Sequence, residues 1–109
     1  MKIRMDEHKG IKVMSPSGDI DMYTSPELRK ELLRIIGDKE SPLLVNFKDV
    51  SYIDSSGIAT FVEGLKAMKS YGGSLQLVDL PEAIMEIFRF SKLEGVFEIY
   101  GTLDDALNS

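Results

Sequence analysis

The residue pattern predicts a single α/β domain over residues 1–109. A β-hairpin comes first, then strands and helices alternate, giving a mixed sheet with helices packed on it. Residues 2–5 and 10–13 alternate polar and apolar side chains, the period of a half-buried strand. Residues 43–47 and 75–78 are short apolar runs, one started by Pro42 and the other preceded by Gly72-Gly73, which read as core strands. Around these runs, apolar residues recur at three- and four-residue spacing, the period of an amphipathic helix.

Taken in order, His8-Lys9-Gly10 supplies the turn of the hairpin, and residues 15–21 end or bend its second strand. The first helix starts near Thr24-Ser25-Pro26-Glu27. Thr24 with Glu27 has the spacing of a capping box, and Ser25 with Pro26 that of a cap followed by a first-turn proline; either register fits. Leu28, Leu32, Ile35 and Ile36 form the buried stripe, and Gly37 ends the helix. After the strand at 42–47, residues 48–53 connect to Asp54-Ser55-Ser56-Gly57.

The second helix carries Ile58, Phe61, Val62, Leu65 and Met68 on one face and runs to about Tyr71. Pro81 opens a third helix with Ile84, Ile87 and Phe88 inward. Residues 96–100 form the last strand, and Thr102-Leu103-Asp104-Asp105 caps a short terminal helix. The order is β-β-α-β-α-β-α-β-α, which makes most of the sheet parallel with right-handed crossovers. Val45, Phe47, Phe61, Leu65, Leu77, Ile84 and Phe88 are the expected core.

Composition narrows the function. The chain is 43% hydrophobic and 28% charged, as globular domains are. A net charge of −5 without a Lys/Arg cluster argues against nucleic acid as a direct ligand. There is no cysteine, so disulfides, thiolate catalysis and thiolate metal sites are excluded. Residues 1–7 lack the apolar core of a signal peptide, and no apolar run approaches the ~20 residues of a bilayer span. The expectation is a cytoplasmic protein with no membrane association and no cofactor. Asp19, Asp21, Asp49 and Asp54 read as caps and turn formers rather than metal ligands, and His8 as a solvated turn residue.

The chemistry concentrates at Asp54-Ser55-Ser56-Gly57, where a buried strand hands over to a helix. One reading is structural: Asp54, Ser55 or Ser56 caps the helix. The other is functional, because two serines allow one hydroxyl to cap while the other stays free beside unpaired backbone N–H groups. The segment Gly18-Asp19-Ile20-Asp21 brings a second carboxylate to the same rim, where open α/β sheets carry their sites. Met22 and Tyr23 either flank this rim as a partner-binding patch or tuck under the first helix. No G-x-S-x-G elbow is present, so Ser55 reads as a phosphorylation substrate rather than a nucleophile, and the chain as a non-enzyme.

Two motifs carry a family resemblance. Residues 18–28, from Gly18-Asp19-Ile20-Asp21 through Thr24 to Leu28, resemble the G-E-I-D-x-x-T-x-x-x-L signature of bacterial anti-sigma factor antagonists. Residues 49–57, ending in Asp54-Ser55-Ser56-Gly57, resemble that family's D-[LV]-S-[FY]-[IM]-D-S-[ST]-G signature. These are STAS domains, and the likeness covers nearly the whole chain. Asp19 replaces the usual Glu, and Ile58-Ala59-Thr60 a more typical Leu-Gly-Val.

The resemblance implies that Ser55 is phosphorylated by an ATP-dependent serine kinase that is also an anti-sigma factor. The unphosphorylated form binds that kinase and frees a sigma factor, and a PP2C-type phosphatase resets the switch. It also implies a partner-binding rim of Asp21, Met22, Tyr23, Thr24, Asp54, Ser56, Gly57 and Ile58 around the acceptor. A STAS module with another task is the alternative within the fold: a stressosome component, a lipid-transport accessory or a nucleotide sensor. A receiver-like domain using Asp54 as phosphoacceptor is a further one. Acetyl phosphate separates the last from the rest: the expected outcome is no hydroxylamine-sensitive acyl phosphate on Asp54, while a kinase leaves an acid-stable phosphate on Ser55.

Overall fold

The computed structural model describes residues 1–109. Ten elements follow one another: β1 (Lys2–His8), β2 (Ile11–Ile20), α1 (Ser25–Gly37), β3 (Leu43–Asn46), β4 (Val50–Ile53), α2 (Ser55–Lys69), β5 (Leu75–Val78), α3 (Glu82–Phe90), β6 (Glu98–Tyr100) and α4 (Leu103–Leu107). The six-stranded sheet has the order β1-β2-β3-β5-β6, with β4 also paired to β2. Only β1 and β2 run antiparallel; every other pairing is parallel.

The predicted alternation is present, with one element added. Residues 48–53 were expected as a connection, but Val50–Ile53 is a strand. Its burial runs buried, exposed, exposed, buried, so it lacks the alternation by which a strand is read. It becomes a strand because β2 outlasts β3. Pairing of β2 with β3 stops at Met14–Val45, and β4 takes over from Gly18–Val50 to Ile20–Ile53. Pro16 lies in the gap between these two ladders, where its missing N–H removes no bond to either. Gly18 supplies the bend, with φ +93° and a register shift beside it, so β2 bends and continues rather than ending.

The first helix also departs from expectation. Thr24 occupies the N-cap position but makes no capping hydrogen bond, and Glu27 pairs with the N-terminal ammonium at 3.5 Å instead of closing a capping box. Pro26 in the first turn has already removed one N–H that a cap would serve.

Side-chain alternation along the strands separates two apolar layers. Leu43, Val45, Leu75 and Leu77 face α1, α2 and α3, packing with Leu28, Leu32, Phe61, Leu65, Met68, Ile84 and Phe88. Val13, Leu44 and Val78 point to the other face, against Ala106 of α4. All seven expected core residues are buried. Phe47 anchors the larger layer: its ring lies 5.2 Å from Phe61 and 6.0 Å from Phe88, and Phe88 stacks edge-on to Phe97 at 5.7 Å.

Phe47 thereby joins the end of β3 to α2 and α3, the helices that border the rim. Phe61→Ala should lower unfolding stability by about 3–5 kcal/mol in denaturant titration, through the cavity it leaves between Phe47 and the helices.

Candidate functional site

The site is built where the parallel strands β2 and β4 end side by side. Ile20 and Ile53 are register partners, and the Asp54 N–H donates to the Ile20 carbonyl at 3.0 Å. Asp21 and Asp54 therefore leave the sheet together. Gly57 lets α2 start there: a Cβ on it would lie 2.6 Å from Ile20 Cγ2 and 2.8 Å from Ile53 Cγ1. The helix start sits directly on the two strand ends, and only glycine fits.

Asp54, rather than either serine, is the N-cap. Its Oδ1 accepts from Ser56 N–H at 2.9 Å, Gly57 N–H at 3.2 Å and the Ser56 hydroxyl at 2.6 Å. These bonds hold its carboxyl below the usual carboxylate range, the Ser56 hydroxyl contributing most and the Met22 backbone N–H adding to the effect. With its own N–H on the Ile20 carbonyl, Asp54 thus ties the end of β2 to the start of α2. It also takes up N–H groups that sequence reasoning had left free for a phosphate on Ser55.

Asp21 organises the opposite bank. Its Oδ1 accepts from Tyr23 N–H at 2.9 Å and Thr24 N–H at 3.1 Å, while its own N–H donates to Thr24 Oγ1 at 2.9 Å. Thr24 Oγ1 donates in turn to the Asp19 carbonyl at 2.8 Å. Asp21 is thus a turn former, and its carboxylate shapes the loop that displays Met22 and Tyr23. No hydrogen bond links Asp21 to Ser55. Met22 is 65% and Tyr23 85% exposed, so neither is tucked under α1.

The serines divide clearly. Ser56 is hydrogen-bonded to Asp54 and faces Ser25 at 3.5 Å, and Ser51 donates to Asp19 Oδ1 at 2.9 Å. Ser55, the first residue of α2, is exposed, and its hydroxyl bonds to no other residue of the chain. It opens onto a groove of about 540 Å³ lined by Ile58, Ala59, Val62, Glu63, Lys66 and Ser91. Sequence alone does not reveal this groove, because Ser91, the residue after α3, closes it from about thirty-five positions along the chain.

Known proteins agree with this architecture. The sequence model of the STAS domain matches residues 2–106, and the chain belongs to that family. It is 37% identical over 83 residues to the anti-sigma-B factor antagonist of Bacillus subtilis, covering 76% of this chain and 75% of that protein. An anti-sigma factor antagonist from Mycobacterium paratuberculosis superposes with a TM-score of 0.89 at 27% identity, over 98% of this chain and 91% of the other. A putative anti-sigma factor antagonist from Thermotoga maritima shares the fold, with a TM-score of 0.91 at 20% identity over 97% and 92% of the two chains. The receiver alternative falls with the family assignment, and Asp54 is occupied as a cap. No helix is long and apolar enough to cross a membrane.

The cap has a pH signature. A carboxylate whose folded-state pKa is depressed adds stability above its unfolded value, about 3.9, and that stability is lost as pH falls toward the folded value. Asp54→Asn should therefore melt below the parent at neutral pH. The gap should narrow as pH drops below about 4, which melting scans across pH will read. Gly57→Ala should cost about 1–3 kcal/mol by overpacking against Ile20 and Ile53, measured in the same titrations.

Proposed function

We propose that this protein is an anti-sigma factor antagonist controlled by phosphorylation at Ser55. In the unphosphorylated state it binds an anti-sigma factor that is also an ATP-dependent serine kinase, and so releases a sigma factor. Phosphate on Ser55 ends that binding, and a PP2C-type phosphatase restores it. The chain acts in the cytoplasm as a substrate and binding partner, not as an enzyme.

One observation carries the reading. Of the serines in the motif, Ser55 alone keeps a free, exposed hydroxyl, because carboxylates hold the other two. That hydroxyl opens onto the groove along α2, and Met22 and Tyr23 are exposed in the loop after β2. The names of the relatives, anti-sigma-B factor antagonists, supply the class of partner.

The electrostatics give the switch its sign. A phosphoserine carries roughly −1.5 to −2 charges at neutral pH. Asp54 already takes the Ser56 and Gly57 N–H groups, so the new charge gains the helix dipole but few hydrogen bonds. It directly follows Asp54 on a chain of net charge −5. A partner surface closing over it buries a poorly matched anion, and a loss of even ~3 kcal/mol weakens binding by roughly a hundredfold.

A pull-down from the source cell with mass spectrometry should return an anti-sigma factor kinase, and phosphopeptide mapping with that kinase and ATP should find Ser55. Modification at Ser56 or Ser51 would sink the assignment. Ser55→Ala should bind the kinase as the parent does, whereas Ser55→Asp should bind about a hundredfold more weakly at a nearly unchanged melting temperature.

A further inference from the structure

We infer that the face of the sheet turned away from α1, α2 and α3 carries a binding site for inorganic hydrogen phosphate. Lys2, Arg4, Ser15 and Ser17 are its donors, and Asp49 is its acceptor. The site lies outside the serine motif and outside the surface used by the proposed function, and neither depends on the other.

The hollow exists because β2 changes partner. β2 pairs with β3 as far as Met14 and with β4 from Gly18 onward, so residues 15–17 have a neighbouring strand on the β1 side alone. Ser15 and Ser17 alternate with Met14 and Pro16, and so share the face of Val13, which packs with Leu44, Val78 and Ala106. Arg4 and Lys2 are their register partners on β1 and stand on the same face. Ile3 and Met5, one step out of phase, pack against the larger layer. The Gly18 N–H donates to the Asp49 carbonyl at 2.9 Å, which fixes Asp49 beside this gap. The result is a cavity of about 130 Å³ lined by Lys2, Arg4, Ser15, Ser17 and Asp49, with no apolar residue in its wall.

The donors of this wall are unspent. Ser15 Oγ is buried without a hydrogen-bond partner, and it is the one buried side-chain polar atom left so. Such a group costs stability until something pairs with it. Arg4 gives Nε to Asp6 at 2.8 Å, and its two terminal nitrogens bond nothing in the chain. Ser17 Oγ reaches the Lys2 carbonyl at 3.4 Å, long for a hydroxyl bond. Lys2 and Asp49 enter no ion pair. Two cations against one carboxylate make the hollow positive on a chain of net charge −5. Its size suits a tetrahedral oxyanion and falls short of the roughly 300 Å³ at which sites for larger organic ligands begin. Asp49 selects among oxyanions, because an ionised carboxylate only accepts hydrogen bonds. Hydrogen phosphate has a proton to offer it. Sulfate has none, and a phosphate monoester gives up its second proton at about pH 6.

The test is titration calorimetry of the unphosphorylated full chain with sodium phosphate, at about pH 7.5 and constant ionic strength. One saturable site is expected, with sulfate and glycerol phosphate each binding at least about tenfold more weakly. Lys2→Gln combined with Arg4→Gln should weaken phosphate about tenfold or more, while Lys30→Gln, on α1, controls for net charge. Asp49→Asn should narrow the gap between phosphate and sulfate to about twofold. Ser15→Ala should melt at or above the parent in phosphate-free buffer, because it removes the unpaired hydroxyl, and should gain less from added phosphate. A Ser15 with a purely structural part would melt lower in both buffers and count against the site. No saturable binding up to about 10 mM phosphate overturns the inference. So does a Lys2/Arg4 double variant within about twofold of the parent, which would put the phosphate elsewhere. Sulfate or glycerol phosphate binding as tightly as phosphate overturns it too, since Asp49 would then read no proton. Each of these results leaves the proposed function standing.

Discussion

The rim of this domain depends on one carboxylate. Asp54 accepts two backbone N–H groups and a hydroxyl from the first turn of α2, while its own N–H is bonded to the end of β2. The start of α2 follows from that fixture. It sets the height at which α2 begins above Ile20 and Ile53, and hence the need for glycine at position 57. It turns Ser56 inward, toward Asp54 and Ser25. Ser55 is then left as the hydroxyl that faces solvent.

Asp21 has the matching part on the neighbouring strand. Its carboxylate and Thr24 knot residues 19–24 into a loop by local bonds. A loop closed on itself needs no apolar anchor, so Met22 and Tyr23 remain outside. Side-chain hydrogen bonds of this local kind compete with helix capping, which is why Thr24 faces back to the strand and leaves α1 without a side-chain cap. Asp21 and Asp54 are spent on shaping two loops, which leave Met22, Tyr23 and the Ser55 hydroxyl exposed.

The core supports this rim from below. Phe47 packs against Phe61 and Phe88, which joins the end of β3 to α2 and α3. Under the proposed function, such a site would report a change of charge without a change of shape. It stays in place while the energetic cost of covering it rises.

Local chemistry was enough to settle much of this protein from sequence. Period-two and helical patterns placed five of the strands and all four helices, and the apolar positions in them named the core. The run from Asp49 to Gly57 located the site, because a strand end followed by small polar residues and glycine is a helix start whatever surrounds it. Tertiary structure decided the rest. Val50–Ile53 is a strand only because β2 extends beyond β3 and offers it a partner, a long-range pairing with no local signature. Which of Asp54, Ser55 and Ser56 caps α2 depended on the register of Ile20 with Ile53, since that register places the Asp54 carboxylate under the first-turn N–H groups. The groove beside Ser55 is lined by α2 and closed by Ser91, which lies far along the chain after α3. Residue order determines what each segment is able to form; the distances between segments, which decide the free hydroxyl and the open face, exist only once the core has closed.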